Sequence, residues 1–273
     1  MMKTLDRSKY KTIRALERGL HVMQILQQKR AATLNQVYQA TDLPRPTILR
    51  ILRTLEGAGW VRRGLGDGLY RNSFKIKGML KGLDDSDRLA EIAAPFLDIL
   101  CREASWPSDL AVIHHEKVYM ELIETSRTKT PFLLKRDEIG HMINIPLSAM
   151  GRAYLAFCDQ SERDDIINNL KETKSAANQI VKNKKIFLND LEKIKINGYA
   201  TREPSFGGGE RPLKSSYDDG LQAIAVPIRI EGKVIGCISL VWVRQAATIE
   251  EIVEKFLINL KETANKIEIT YGG

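Results

Sequence analysis

Residues 41–64 read TDLPRPTILRILRTLEGAGWVRRG, a stretch with five arginines, prolines at 44 and 46, and apolar residues at three- and four-residue steps. The residue before a proline is pushed out of the helical region, so TDLPRP breaks the chain. Pro46 suits a first helical turn, where its missing N–H is no loss, and a helix therefore starts there. Gly57 and Gly59 end it. Its apolar set is Ile48, Ile51, Leu52, Leu55 and Ala58. Thr47, Arg50, Arg53 and Thr54 fall on another face, with Arg45 just ahead of the helix start.

Working outward, residues 13–28 place Ile13, Leu16, Leu20, Met23 and Leu26 at helical spacing, which predicts a helix with one buried stripe. Thr33 and Gln36 fit a capping box, so a short second helix should run to about Ala40. On the other side, Trp60–Arg63 and Leu69–Arg71 can pair as strands around GLGDG, with Asp67-Gly68 as the hairpin turn. Three helices and a hairpin make a winged helix-turn-helix, in which the third helix enters the major groove through its first turns. The candidate DNA contacts are Arg45, Pro46, Thr47, Arg50 and Arg53 on the helix and Arg62 and Arg63 at the wing. Taken singly, an arginine on a helix is a solvated side chain. The combination with a proline-marked turn, a glycine stop and a basic wing points to duplex DNA.

The charge distribution agrees. The 273 residues carry a net +8, but residues 1–83 hold 17 Lys and Arg against 5 Asp and Glu, while the remainder is mildly acidic. A basic first third suggests that one module meets a polyanion. A basic membrane-surface helix would need a broad Trp, Phe and Leu face, whereas this helix uses its apolar face to complete a small core. No apolar run approaches the roughly 20 residues of a membrane span, and MMKTLDRSKYKTIR lacks the apolar centre of a signal peptide, so a cytoplasmic location is expected. Cys101, Cys158 and Cys237 are far apart and form no CxxC pair; they read as core residues.

Further on, FKIKGMLKGLDDSDR reads as a linker helix followed by an acidic hinge. The expected division is 1–73, 74–87 and 88–273. A helix is predicted over 88–104, then strands over Asp109–His115, Lys117–Glu124, Leu221–Ile230 and Lys233–Val243, the last two joined at Glu231-Gly232. Helices fit 148–158, 161–171, 186–197 and 248–269. Strands and helices mix without strict alternation, which predicts an α+β class with an antiparallel sheet flanked by helices. GGGERPLKSS is not a phosphate loop, because Leu213 stands where glycine is required; a mobile surface loop is expected. His114 and His115 are adjacent on a strand and so point to opposite faces, poor geometry for one metal. Cys158 has no evident histidine partner and reads as a buried thiol. Neither a cofactor nor a metal is expected.

GLHVMQILQQ and LNQVYQATDLPRPTILRILRTLEGAGWVRR resemble the N-terminal domain of the IclR family of bacterial transcriptional regulators, and the resemblance continues to the C-terminus. YKTIRALERGL, EASWPSDLAV and IAVPIRIEGKVIGCISLV resemble the MhpR-like branch of activators of aromatic-acid (hydroxyphenylpropionate) catabolism. The resemblance implies a non-enzymatic regulator whose C-terminal part is a GAF-like effector-binding domain. Its partners would be double-stranded operator DNA, a small aromatic carboxylic acid, a second or further copies in a homodimer or tetramer, and RNA polymerase. In the family's matched segment Pro146–Ala156, a helix N-terminus faces the effector; free N–H groups there suit a carboxylate. Carried over by residue, Ala149, Met150, Ala223, Cys237 and Ser239 are candidate pocket positions, and Val241 stands where some members have a second hydroxyl. The family's acidic pocket residue falls on Asp218, Asp219 or Glu210. Trp106, Tyr119 and Trp242 could stack on an aromatic effector, against a default of plain core packing. Arg127 and Arg136 could pair with its carboxylate, against a default of solvated loop arginines. The alternative is a GAF-like ligand-binding or enzymatic module tethered to nucleic acid, perhaps RNA. An RNA reader displays stacking aromatics, but Tyr10, Tyr38, Trp60, Tyr70 and Phe74 look like core or wing residues.

Overall fold

A computed structural model describes residues 12–79, 83–114, 116–129, 139–208 and 213–273. The chain divides into two compact units, Met1–Leu83 and Asp84–Gly273.

The first unit holds α1 (Arg14–Lys29), α2 (Leu34–Gln39), α3 (Arg45–Gly57), the hairpin β1 (Val61–Arg63) and β2 (Tyr70–Asn72), and α4 (Lys75–Met79). The capping box at α2 forms: the Gln36 N–H donates to Thr33 Oγ1 at 3.1 Å and the Thr33 N–H donates to Gln36 Oε1 at 2.8 Å. Ile48 and Leu52 of α3 pack on Val22, Ile25 and Leu26 of α1 and on Val37, Val61 and Tyr70. The wing pairs Arg63 with Tyr70 in register. Its tip is fixed by Asp67, which accepts from the Leu69 N–H at 3.0 Å and pairs with Arg71, and by Gly68 at φ +65°. The Arg71 hydrogen bond, and next the Leu69 N–H, hold the Asp67 carboxyl well below the usual carboxylate range.

Two expectations fail here. The stripe expected to be buried on α1 is split: Leu26 enters the core, but Ile13, Leu16 and Leu20 are 70%, 59% and 55% exposed. Val22 and Ile25 take the inner positions, because the helix turns a neighbouring face to α3. Ala58, expected on the packing face of α3, follows the helix and is exposed.

The second unit begins with α5 (Asp85–Ala104). The acidic stretch expected to be a hinge is the start of this helix: Asp84 accepts from the N–H groups of Ser86 and Asp87, and Asp87 accepts in turn from the Asp84 N–H. Carboxylates are favoured there by the helix dipole. Six strands follow in an antiparallel sheet: β3 (Ser108–Ile113), β4 (Tyr119–Thr125), β5 (Met142–Asn144), β6 (Ala200–Thr201), β7 (Leu221–Ile230) and β8 (Lys233–Val243), in spatial order β5-β4-β3-β8-β7-β6. The short β5 and β6 were not expected from periodicity, being too short to show one. Glu231 and Gly232 both have positive φ, as a two-residue primed turn between β7 and β8 requires.

Period-two alternation sends two different sets of side chains to the two faces. Ile224, Val226, Ile238, Leu240 and Trp242 pack under α5 and α9 (Ile249–Gly272). Ala111, Ala223, Ala225, Cys237 and Val241 face α6 (Ala149–Phe157), with α7 (Gln160–Glu172) and α8 (Lys184–Asn197) beyond. The small residues let α6 come close. A Cβ at Gly151 would lie 2.1 Å from the Ile145 carbonyl oxygen, so only glycine permits this approach. The segment expected to be a mobile surface loop is exposed at Lys214, Ser215 and Ser216 but packed at its start. Gly207 and Gly208 are buried, and a Cβ on Gly207 would lie 1.8 Å from the Tyr217 carbonyl oxygen. Residues 209–212, including Glu210, lie outside the described residues, as do His115, Arg136 and Tyr10.

Candidate functional site

The first unit presents its chemistry on α3. Pro44 and Pro46 set the start of the helix, and Ile48 and Leu52 fix its inner side. Arg50 and Arg53 are thereby turned outward and exposed, with Pro46 exposed and Thr47 half-buried on the same side of the helix. Arg45 is exposed but held, its Nη2 donating to Asn35 Oδ1. At the wing Arg62 is exposed, whereas Arg63 donates from Nε to the Gly68 carbonyl at 2.8 Å and lies over the Tyr70 ring. These seven residues thus share one small domain, but two of the arginines are tethered within it.

The second unit has a cavity of about 40 Å³ between the sheet and the start of α6. Ser148 caps α6 by accepting from the Gly151 N–H at 3.0 Å. The first N–H groups of a helix, here those of Ala149 and Met150, have no acceptor within it, and both residues line the cavity. Opposite them on β8 stands Ser239, 1% exposed, whose Oγ has no hydrogen-bond partner among the described residues. A buried hydroxyl left so costs about 1–3 kcal/mol, and a ligand oxygen would relieve that cost.

Two ion pairs complete the walls. Arg127 forks onto Asp109 from Nε, at 3.1 and 3.2 Å, and from Nη2 at 2.7 Å, while Thr125 Oγ1 donates to the same carboxylate. Both members are buried. Arg202 Nη1 donates to both Asp219 oxygens at 2.8 and 2.9 Å and stacks over Phe206 at 5.0 Å. The solvated-loop expectation for Arg127 is therefore corrected: the residue is buried because β3 carries an acid on its inward phase. Leu122, Ile143, Ala223 and Val241 supply the apolar lining, and His141 stands at the rim of β5. Of the three acids proposed for the family's pocket position, Asp219 reaches the wall through Arg202. Asp218 instead pairs with Arg244 and Lys214 at a half-exposed position, and the Arg244 hydrogen bond pulls its carboxyl down to about 2.

Among the candidate pocket residues, the fold brings Ala149, Met150, Ala223 and Ser239 together around one space. Cys237 lies on the same face but deeper in the core, where burial pushes its thiol up. Trp106 and Trp242 pack on the opposite side of the sheet; Trp242 is fully buried and its Nε1 donates to the Ala247 carbonyl at 2.9 Å. Tyr119 has the phase opposite to Met120 and Leu122 on β4 and does not reach the cavity. Asp109, Arg202 and Phe206 were not foreseen as lining residues; Arg127, named as a possible partner of the effector's carboxylate, lines the cavity already paired with Asp109. The one available signal was Asp109, an acid set among apolar residues in a strand run.

A winged helix-turn-helix with an exposed basic third helix, followed by a separate α+β domain with a polar-edged cavity, defines a ligand-responsive DNA-binding regulator. The family models agree: residues 15–64 match the IclR helix-turn-helix domain and residues 83–269 match the bacterial transcriptional regulator IclR C-terminal domain. The chain belongs to the IclR family of bacterial transcriptional regulators. Its relatives include the DNA-binding transcriptional repressor YiaJ of Escherichia coli, 25% identical over 94% of this chain and 88% of the relative. Another is the Pca regulon regulatory protein of Pseudomonas putida, 23% identical over 89% and 79% of the two chains. Among solved structures, the Thermotoga maritima IclR covers the whole of both chains with a TM-score of 0.54 at 19% identity. An IclR homolog complexed with 4-hydroxybenzoate, from Microbacterium hydrocarbonoxydans, covers 94% of this chain and 98% of that one, with a TM-score of 0.52 at 23% identity. At such identities these likenesses speak for the fold.

Proposed function

We propose that this regulator binds operator DNA through α3 and the wing and activates aromatic catabolic genes in response to a small aromatic carboxylic acid held in the second unit. The observation that carries the ligand reading is the unpartnered Ser239 hydroxyl facing the open N-terminus of α6: a carboxylate satisfies free N–H groups at a helix start and a buried hydroxyl together. The apolar walls suit a hydrocarbon body. The names of two relatives support the class, since one regulates the Pca regulon and another was crystallised with 4-hydroxybenzoate. The space of about 40 Å³ holds little more than water, so the acid must displace wall side chains, chiefly the flexible Met150 and the loop-borne Phe206. An effector acts through its different affinity for two states, and this displacement is where such a difference would arise.

A calorimetric and thermal-shift screen of hydroxylated benzoates, phenylpropionates and dicarboxylic acids is expected to yield a stabilising aromatic acid. Ser239→Ala should raise the unfolding midpoint of the ligand-free protein, by removing an unpaired hydroxyl, and weaken that acid's binding by about 1 kcal/mol. Silence from every aromatic acid would sink the effector class.

The exposed Leu16 and Leu20, with Met79, border a groove between α1 and α3. They support a homodimer joined through the first unit. Leu20→Glu should shift the sedimentation profile of the full chain toward the monomer; an unchanged profile contradicts this interface.

A further inference from the structure

Arg45 differs from the other exposed arginines of α3 in what holds it. Its Nη2 donates to Asn35 Oδ1 at 2.7 Å, and the guanidinium carbon lies 4.8 Å from the centroid of the Tyr38 ring. Both partners belong to α2, a helix that carries no candidate DNA contact of its own. Arg45 is also the first residue of α3, set between Pro44 and Pro46, so its backbone is as constrained as its side chain. Arg50 and Arg53 make no side-chain hydrogen bond or ion pair among the described residues.

The difference has a consequence for recognition. The N-terminal residues of a groove-entering helix are the ones that reach base edges. An arginine reads guanine through a planar two-donor fork onto O6 and N7, which demands a fixed plane. A freely rotating arginine loses rotamer freedom on docking, whereas one stacked on a ring and tied at one nitrogen has lost it beforehand. The tie to Asn35 uses one of the two Nη2 hydrogens; the other, with the Nε–H or Nη1–H on its own side, still forms a two-donor fork for a ligand. A mobile arginine is better suited to phosphates, which accept from many directions and carry no sequence information.

We propose that Asn35 and Tyr38 are positioning residues that hold the Arg45 guanidinium as a pre-set fork for a purine edge. Arg45 then carries sequence discrimination, while Arg50 and Arg53 supply affinity for any duplex. This rests on the reading of α3 as the helix that enters the groove.

The test uses the full chain and duplexes selected by it from a random-sequence library, compared with scrambled duplexes of the same length at one salt concentration. The quantity read is the ratio of the two affinities. Asn35→Ala and Tyr38→Ala should each reduce that ratio about three- to tenfold. The scrambled-duplex affinity and the salt slope should stay unchanged, because no charge is lost. Tyr38→Phe keeps the ring face and should keep the ratio. Arg45→Lys keeps the charge but not the fork, and should lose about tenfold or more, as Arg45→Ala does. Asn35 and Tyr38 are exposed, so unfolding midpoints should match the wild type. A wild-type ratio in both alanine variants overturns the positioning role alone. Failure of the wild-type chain to bind or select any duplex overturns the groove reading, and the positioning role with it.

Discussion

The two units make their chemistry in opposite ways. In the first, the candidate contacts lie within α3 and the wing of one small domain, and the core beneath them serves to aim them outward. In the second, the cavity is assembled from residues far apart in sequence: Asp109 and Arg127 on one side, Arg202 and Asp219 on the other, with Ser148 and Ser239 between them. A surface site of the first kind can lose a side chain without loss of folding. An interior site of the second kind loses stability when one member of a buried ion pair is removed, because the other is left charged away from water.

The largest expected effect tests that contrast directly. Asp109→Ala removes the buried carboxylate onto which Arg127 Nε and Nη2 donate, and should destabilise the second unit by about 3–5 kcal/mol in a denaturant titration. Adding Arg127→Met should recover much of the loss. A neutral Asp109→Ala would mean that the pair is solvated and the interior character of the site is wrong. Next in size, Arg50→Ala should weaken duplex binding by about 1–3 kcal/mol and flatten the dependence of log K on log salt by about 1, with no change in unfolding midpoint. An unchanged slope would remove Arg50 from the phosphate contacts, and a lowered midpoint would give the first unit the interior character assigned to the second. The smallest effect concerns Cys158, whose thiol is pushed up to about 12, first by burial and then by the nearby Glu162 carboxylate. A folded value above the unfolded one means that the stabilising contribution is full below pH 9 and is lost as pH rises from there toward 12. The stability difference between the wild type and Cys158→Ala should therefore be flat below pH 9 and shrink above it, and rapid alkylation of the native thiol near neutral pH would contradict its burial.

Legibility in the sequence followed the same contrast. Thr33 and Gln36 announce a helix start because the capping box is a bond between neighbours, and TDLPRP announces a break because proline acts on the residue beside it. The strands β7 and β8 were legible to the residue, since both are long and the turn between them has a local signature. Errors arose where the deciding partner was remote. Ile13, Leu16 and Leu20 have the periodicity of a buried stripe, but which of two apolar faces of α1 meets α3 is settled by packing. DDSD looks like a hinge as a charge run and is a helix cap once α5 lies behind it. Trp106 and Tyr119 are aromatic and near strands, but a strand's phase relative to a particular cavity depends on register with its neighbours.

By itself, the sequence determined the winged helix, its outward arginines, the α+β class of the second unit and the membership of a family of regulators, because helix periods, caps, turns and charge runs act over a few residues. Only the tertiary structure decided that Arg127 is buried on Asp109, that Ser239 faces α6 with no hydrogen-bond partner among the described residues, and that Arg45 is gripped by Asn35 and Tyr38. Each of these is a meeting of side chains from different elements, and the energies that fix them, desolvation and directional hydrogen bonding, exist only once the elements have packed.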